Sequence, residues 1–205
     1  EKFNKHTLLQ PIIIAYVIIL SLIVFTSTSF EEYFKSVEII HFFLGPATVA
    51  LALPLYKHLK YVKSLFIPIV LTLFIAGVFS IVIAVSLLWI FGAELPTILS
   101  MTTKSITAPI AIITSQQIGA IPSLAVGFVL ITGIIGALFG TIVFKIFKVK
   151  YETSKGFALG LVSHGIGTAR AIEISEKAAA FGALAMGLSG IFTAIFLPMI
   201  ITFFK

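Results

Sequence analysis

Long apolar runs separated by short polar segments make up most of this chain. The length of most of these runs is close to what a helix needs to cross the hydrocarbon core of a membrane, about 20 residues. The runs are residues 8–25, 39–56, 65–91, 95–118, 121–147, 157–174 and 178–204. Two of them, 95–118 and 157–174, are interrupted by charged residues and by proline or glycine. The pattern predicts an all-α protein with about five full spans and two broken or re-entrant helical elements.

Composition places these helices in a membrane. Hydrophobic residues make up 59% of the chain and charged residues 11%, with a mean hydropathy of +1.16. A soluble domain carries about 25% charged residues, so we expect a polytopic integral membrane protein. The chain has no cysteine, and no His/Glu cluster has the spacing of a metal site. We therefore predict no enzyme, no metal and no cofactor.

The lysines indicate topology. The net charge is +6, but the lysines cluster in short loops at 57–63 and 145–150, which favours cytoplasmic loops over nucleic-acid binding. Two cytoplasmic loops require an even number of crossings between them, and three apolar runs lie there. The interrupted run 95–118 is therefore predicted to re-enter from outside. By the same count of crossings, 155–177 is predicted to re-enter from the cytoplasm. The two elements would then enter the membrane from opposite sides and be inverted relative to each other. The Gly45-Pro46 pair leaves open whether 39–56 spans or re-enters.

A sequence echo supports the inversion. Residues 107–109 (TAP) align with 168–170 (TAR), and the alignment continues into the following apolar helices. We predict one membrane domain over 1–205, with repeat-like units at 39–92, 95–147 and 156–204. Inverted repeats with broken helices are typical of secondary transporters, whose sites lie at the breaks.

The two breaks contain the candidate site. A helix that begins inside the membrane has free N–H groups that attract an anion. Thr107 is the predicted N-cap of one half-helix. We expect Gly165 and Gly167 to unwind the chain before a second half-helix near Thr168. Two cations and several hydroxyls suit a small carboxylate. The predicted substrate-binding residues are Lys104, Ser105, Thr107, Pro109, Ser163, His164, Gly165, Gly167, Thr168 and Arg170.

Each charged residue also has a structural interpretation. Arg170 could pair with Glu173 at the cytoplasmic interface, or Glu173 could pair with Lys177. Lys104 could extend to the outer interface. His164, alone or with Glu173, could carry a coupling proton, or it could only donate a hydrogen bond between helices. The transport interpretation expects Arg170 to meet Lys104 near the middle of the membrane, whereas an Arg170 at the cytoplasmic surface would favour topological anchoring as the role of the motif.

Several motifs together resemble the LrgB/CidB family. They are 43–57 (FLGPATVALALPLYK), 104–111 (KSITAPIA), 163–171 (SHGIGTARA) and the continuation at 182–193. The resemblance covers essentially the whole chain, in the order and spacing of the family. Family members usually have one more N-terminal membrane helix, so we expect one to precede Glu1.

The resemblance implies two kinds of function. Bacterial members are described as antiholin-like or holin-associated proteins that modulate murein hydrolases and autolysis with a smaller LrgA/CidA-type membrane partner. Members are also linked to pyruvate uptake, and the plant plastid relative exchanges glycolate and glycerate. We expect a transporter of small monocarboxylates working by alternating access in the cell membrane, or in the plastid inner envelope of a plant. A homo-oligomer is possible. The alternative is a holin-like pore or a scaffold for the smaller partner.

Overall fold

A computed structural model describes residues 11–50 and 52–203 of this chain. Those residues form helices and connecting turns, and no strand occurs among them. The all-α prediction is therefore confirmed for the described part. The chain divides into two compact units, Glu1–Ala52 and Leu53–Lys205.

The first unit contains α1 (Pro11–Thr26), α2 (Phe30–Ser36) and α3 (Glu38–Ala50). Helix α2 begins with a capping box, in which the Ser29 hydroxyl accepts the Glu32 N–H at 3.2 Å and the Glu32 carboxylate accepts the Ser29 N–H. Helix α3 continues through Pro46, so the backbone is helical where the sequence left a break open.

The second unit carries the candidate site. The last residue of the first unit begins α4, and α5 follows; both are short and carry the first lysine cluster. The helices from there on are α4 (Ala52–Lys57), α5 (Leu59–Ser64), α6 (Phe66–Ile90), α7 (Leu95–Met101), α8 (Ala108–Ile118), α9 (Pro122–Ile146), α10 (Glu152–Ile172) and α11 (Glu176–Phe203).

Three helices, α6, α9 and α11, are long and apolar enough to cross a membrane, counting only the described residues. They have 25, 25 and 28 residues. A 25-residue helix is about 37 Å long, which is more than the thickness of the hydrocarbon core, about 30 Å. Their ends agree with the predicted runs to within two residues. Helices α1 and α3, with 16 and 13 described residues, are shorter, so the count of about five spans stays a prediction.

Run 95–118 is interrupted as predicted. Helices α7 and α8 are separated by a non-helical segment at 102–107, which we call the α7–α8 linker. Thr107 is the N-cap of α8, with an extended backbone (φ −70°, ψ 149°), and Pro109 is in the first turn. The Thr107 side chain makes no capping hydrogen bond, so the prediction holds for its position only.

Run 157–174 is also broken, but at other residues than predicted. Helix α10 starts at Glu152, five residues before the predicted run. The prediction began later because the first turn of the helix is polar and lies outside the apolar run. The non-helical residues are Ser163 and His164, and the chain is helical again from Gly165. The prediction that Gly165 and Gly167 unwind the chain, with a new half-helix near Thr168, is therefore wrong. The small size of Gly167 serves a close backbone contact instead.

Candidate functional site

The break in α10 reverses the chain direction. Ser163 has φ −119° and ψ 15°, and His164 has φ 43° and ψ −126°, a combination that L-residues rarely adopt. Four residues later, Gly167 lies against the backbone of Leu159, where an added Cβ would be 2.8 Å from the Leu159 carbonyl carbon. In a straight helix these two residues would be about 12 Å apart. Helix α10 is therefore a hairpin.

Helix α11 confirms the reversal. The two half-helices of the hairpin are α10a (152–162) and α10b (165–172). Gly182 of α11 touches both of them, because a Cβ there would lie 3.3 Å from the Gly156 carbonyl oxygen and 3.5 Å from the Thr168 Cα. A straight helix would separate Gly156 from Thr168 by about 18 Å.

Small residues one helical turn apart let α10a approach α11. A Cβ on Gly156 would be 2.6 Å from the Ala178 carbonyl carbon, and a Cβ on Gly160 would be 2.7 Å from that of Gly182. These are backbone atoms, so they cannot rotate away. The two pairs form a small-xxx-small contact of the kind that packs helices in membranes.

The tip of the hairpin rests on the middle of α9. The ring of His164, which is 5% exposed, makes a 2.9 Å hydrogen bond through Nε2 to the Val129 carbonyl oxygen. A carbonyl only accepts, so Nε2 carries the proton. Gly133 and Gly136 make room for the tip, since a Cβ on Gly133 would be 2.8 Å from the His164 ring and Gly136 faces the side chain of Ser163.

The α7–α8 linker reaches the same level of the molecule. The amine of Lys104 donates to the hydroxyls of Ser80 at 2.5 Å and Ser105 at 3.1 Å. Ser80 lies near the middle of α6. Ile106 of the linker packs on Val129, the residue whose carbonyl accepts from His164. The two broken elements therefore converge on one turn of α9.

A small cavity lies between the linker, α6, the hairpin and α11. Its volume is about 50 Å³, which is room for a few water molecules. Five of its lining residues carry hydroxyls. The lining consists of Leu73, Ala76, Gly77, Ser80, Ile81, Thr102, Ser105, Ile106, Leu161, Val162, Ser189, Phe192 and Thr193.

A second cavity of about 530 Å³, which we call the vestibule, lies beside α6, α10a and α11. It shares Ala76, Leu161 and Val162 with the small cavity, so these three side chains form the wall between the two. The vestibule is lined by Tyr61, Leu65, Pro68, Ile69, Thr72, Ala76, Tyr151, Thr153, Ser154, Phe157, Ala158, Leu161, Val162, Lys177 and Phe181.

The mouth of the vestibule carries polar contacts. The Lys177 amine lies 4.0 Å from the centroid of the Tyr61 ring, a cation–π distance. The Lys57 amine and the Glu176 carboxylate form an ion pair at 2.7 Å. Both contacts join the short helix segment 52–64 to the start of α11.

The structure separates the two predicted cations. The guanidinium of Arg170 pairs with the carboxylate of Glu173, while the amine of Lys104 bonds Ser80 and Ser105. The Nε of Arg170 is buried without a hydrogen-bond partner. Of the alternatives open from the sequence, the Arg170–Glu173 pair is the one observed, and the expected meeting of Arg170 with Lys104 is not, since the Lys104 amine bonds Ser80 and Ser105.

The other predicted residues take three positions. Ser105 lines the small cavity, and Thr107 and Pro109 begin α8 beside it. The Ser163 hydroxyl is buried at the tip without a partner. Thr168 lies in α10b and donates to the His164 carbonyl at 2.8 Å, which closes the first turn after the break.

Sequence reasoning missed Ser80, Ser189 and Thr193, the hydroxyls that the long helices contribute to the cavity. A signal for them exists, since each is an isolated hydroxyl near the middle of an apolar run. Isolated serines and threonines also bond their own helix backbone, so position alone does not distinguish a site.

The small cavity is lined by hydroxyls, and two of them, on Ser80 and Ser105, accept hydrogen bonds from the amine of Lys104, which lies outside the lining. One ammonium and several hydroxyl groups can bind a carboxylate and read a neighbouring hydroxyl or keto group. Within the described residues no group of three His, Cys, Asp or Glu side chains is placed to hold a metal ion.

Known proteins resemble this chain along its length. The sequence pattern of the LrgB-like family matches residues 1–203. The holin-like protein CidB of Staphylococcus epidermidis is 31% identical over 205 residues, which is 100% of this chain and 89% of that protein. The antiholin-like protein LrgB of Bacillus mycoides is 32% identical over 203 residues, or 97% of this chain and 88% of that protein. No solved structure matches the chain. The chain therefore belongs to the LrgB-like family.

Proposed function

We propose that this chain is a membrane transporter of small monocarboxylates of the pyruvate, glycolate or glycerate type, working by alternating access. The observation that carries the proposal is the convergence of two broken helices on Val129, beside a half-buried lysine, Lys104, that bonds Ser80 of α6. Broken helices that meet midway along apolar spans are the usual site architecture of secondary transporters.

The connections of the long helices support an inverted arrangement. If α6 and α9 both cross, the lysine clusters at 57–63 and 145–150 lie on one side, and α7–α8 enters and leaves on the other. The contact of the Ser100 hydroxyl with the Ile121 N–H, at 3.0 Å, brings α7 next to the start of α9 as this requires. The α10 hairpin then enters from the lysine side.

Charge supports a carboxylate as substrate. Lys104 is half-buried. An ammonium within a membrane segment is costly, and such residues usually serve a substrate or ion pathway. Lys104 has hydroxyl partners and no carboxylate partner among the described side chains. A substrate carboxylate would supply the missing negative charge. The first residue of α8, Ala108, with the free N–H groups of that helix end, is four residues further on.

The two cavities suggest how access alternates. The vestibule reaches the wall of Ala76, Leu161 and Val162, behind which the small cavity is closed to anything much larger than water. We infer that the hairpin tip moves against the glycine face of α9, at Gly133 and Gly136, to open this wall. The other residues predicted from the sequence, including Arg170 and the proton candidates His164 and Glu173, stay in the proposal.

Liposome uptake tests the proposal. The purified chain, reconstituted with an entrapped dye, is predicted to take up labelled pyruvate or glycolate saturably without releasing the dye. Lys104→Met removes the ammonium and keeps the length of the side chain. A hydrogen bond to a charged group contributes about 1.5–3 kcal/mol, so uptake should fall at least about tenfold.

The control is Lys60→Met, which removes one exposed lysine from α5. Its uptake should equal that of the wild type. Equal uptake by Lys104→Met would contradict the role of Lys104, and dye release by the wild type would contradict transport itself.

A second candidate function is a holin-like or antiholin-like pore, or a scaffold for a small LrgA/CidA-type partner. The bacterial relatives are named holin-like and antiholin-like proteins, which favours it. A pore predicts dye release, and a scaffold predicts co-purification of the partner with neither uptake nor release. In a transporter, any effect on murein hydrolases and autolysis is indirect. The cell membrane is the proposed location, or the plastid inner envelope for a plant protein.

A further inference from the structure

A third cavity lies at the end of α9 and shares no lining residue with the small cavity or the vestibule. Its volume is about 520 Å³, and it is open to the surroundings. Four lysines line it, Lys145, Lys148, Lys150 and Lys155, above apolar side chains that include Phe144 and Ile174. We call it the lysine basin.

The charge of the basin is not neutralised by any ion pair among the described residues. The ion pairs found among the described residues are Lys57–Glu176 and Arg170–Glu173, so none of the four basin lysines is in one. Glu152 lies between the last two lysines in sequence and is exposed. Four unpaired ammonium groups around one hollow favour an anion with several oxygens.

The backbone at the end of α9 gives a second indication. Lys148 has φ 52°, the left-handed conformation that ends a helix, and the Val149 N–H donates to the Phe144 carbonyl at 2.8 Å in a Schellman motif. The same motif ends α6 at Gly92 and α8 at Gly119, where glycine takes the left-handed position without strain.

A lysine therefore stands at the rim of the basin in a position where α6 and α8 have glycine and α1 has Ser27. A side chain in this conformation is unfavourable, so it is expected where the side chain itself has a use. A lysine that only set the orientation of the chain in the membrane would do so equally well at the next position.

The surroundings of the basin identify the source of the anion. Helix α9 is long and apolar enough to span a membrane, so its last turn lies where phospholipid headgroups lie. Ile146 and Phe147, beside the basin, are 67% and 75% exposed and offer an apolar surface to an acyl chain. Basic pockets at the ends of membrane helices suit anionic headgroups.

We propose that the lysine basin binds the phosphate-bearing headgroup of an anionic phospholipid, with the acyl chains along the last turn of α9. The site is independent of the proposed transport pathway. It would attach the α9–α10 connection, and with it the base of the hairpin, to the membrane surface.

The test measures lipid binding to the purified full chain. Phosphatidylglycerol and phosphatidylcholine with the same acyl chains are titrated in detergent, and bound lipid is counted by native mass spectrometry. The wild type should retain phosphatidylglycerol preferentially. Lys148→Gly removes one charge and relieves the backbone, so its melting temperature without lipid should be equal or higher, while its affinity for phosphatidylglycerol should fall about fivefold.

A charge-matched pair separates the basin from general electrostatics. Lys145→Gln with Lys155→Gln should lower phosphatidylglycerol affinity at least about tenfold, whereas Lys60→Gln with Lys63→Gln, in the other lysine cluster, should leave it unchanged. Equal losses in both pairs, or an unchanged affinity in the basin pair, would overturn the proposal. Displacement of the lipid by inorganic phosphate would also overturn it, since the site would then take the free anion.

Discussion

Gly160 and Gly156 bring the backbone of α10a into contact with that of α11, and this contact fixes the depth of the hairpin. Neither position has room for a methyl group, because the nearest atoms are the carbonyls of Gly182 and Ala178. In soluble helices a glycine weakens the helix by about 1 kcal/mol relative to alanine. Here the loss is offset by a contact that only glycine permits.

Gly160→Ala is therefore predicted to destabilise the protein. Overpacking costs about 1–3 kcal/mol, and more where backbone must move. The apparent melting temperature in detergent should fall. Gly187→Ala on α11 is the matched control, since no atom lies within 4 Å of its added Cβ, and it should be neutral or stabilising. A Gly160→Ala protein as stable as Gly187→Ala would disprove the hairpin packing.

His164 combines a strained backbone with a buried hydrogen bond. His164→Gly and His164→Ala both lose the ring and its bond to Val129, so their difference isolates the backbone. At φ 43° alanine is strained and glycine is not, and the relief exceeds the entropy of glycine by about 1 kcal/mol. We predict that His164→Gly melts above His164→Ala, the reverse of the usual helical order. If His164→Ala melted above His164→Gly, the reversal of the chain direction would not lie at His164.

At the scale of elements, the sequence identified the right segments and missed their internal geometry. Interrupted periodicity located both breaks, because charge and proline are unfavourable in an apolar helix. It did not locate the non-helical residues, since Ser163 and His164 are ordinary helix residues in sequence. Their conformation is imposed by the contacts of the tip with α9, which are long-range and leave no local signal.

The hairpin predicts which side each loop faces. The chain has no cysteine, so single cysteines report cleanly. Ser154→Cys, before the hairpin, and Glu173→Cys, after it, should react with a membrane-impermeant maleimide from the same side. Glu94→Cys, between α6 and α7, should react from the other side. Labelling of Ser154→Cys and Glu173→Cys from opposite sides would mean that α10 crosses the membrane.

At the scale of the whole chain, composition was sufficient to predict a helical membrane protein, and run length sufficed for α6, α9 and α11. The residues of the proposed pathway were harder to predict from the sequence. Lys104 and the hydroxyls of the linker were identifiable by their charge and polarity, whereas Ser80 becomes a candidate only once α6 is packed beside the linker. Arg170, a charge within an apolar run, was the strongest candidate in the sequence. In the structure its partner is Glu173, one helical turn away.

Alternating access is the central claim, and counterflow tests it most directly. Liposomes containing the protein are loaded with excess unlabelled pyruvate and diluted into a trace of the labelled acid. A carrier whose site faces one side at a time exchanges inner for outer substrate, so labelled pyruvate should rise transiently above its equilibrium level, and Lys104→Met should abolish the rise. A monotonic approach to equilibrium in the wild type, as an open pore gives, would contradict the account.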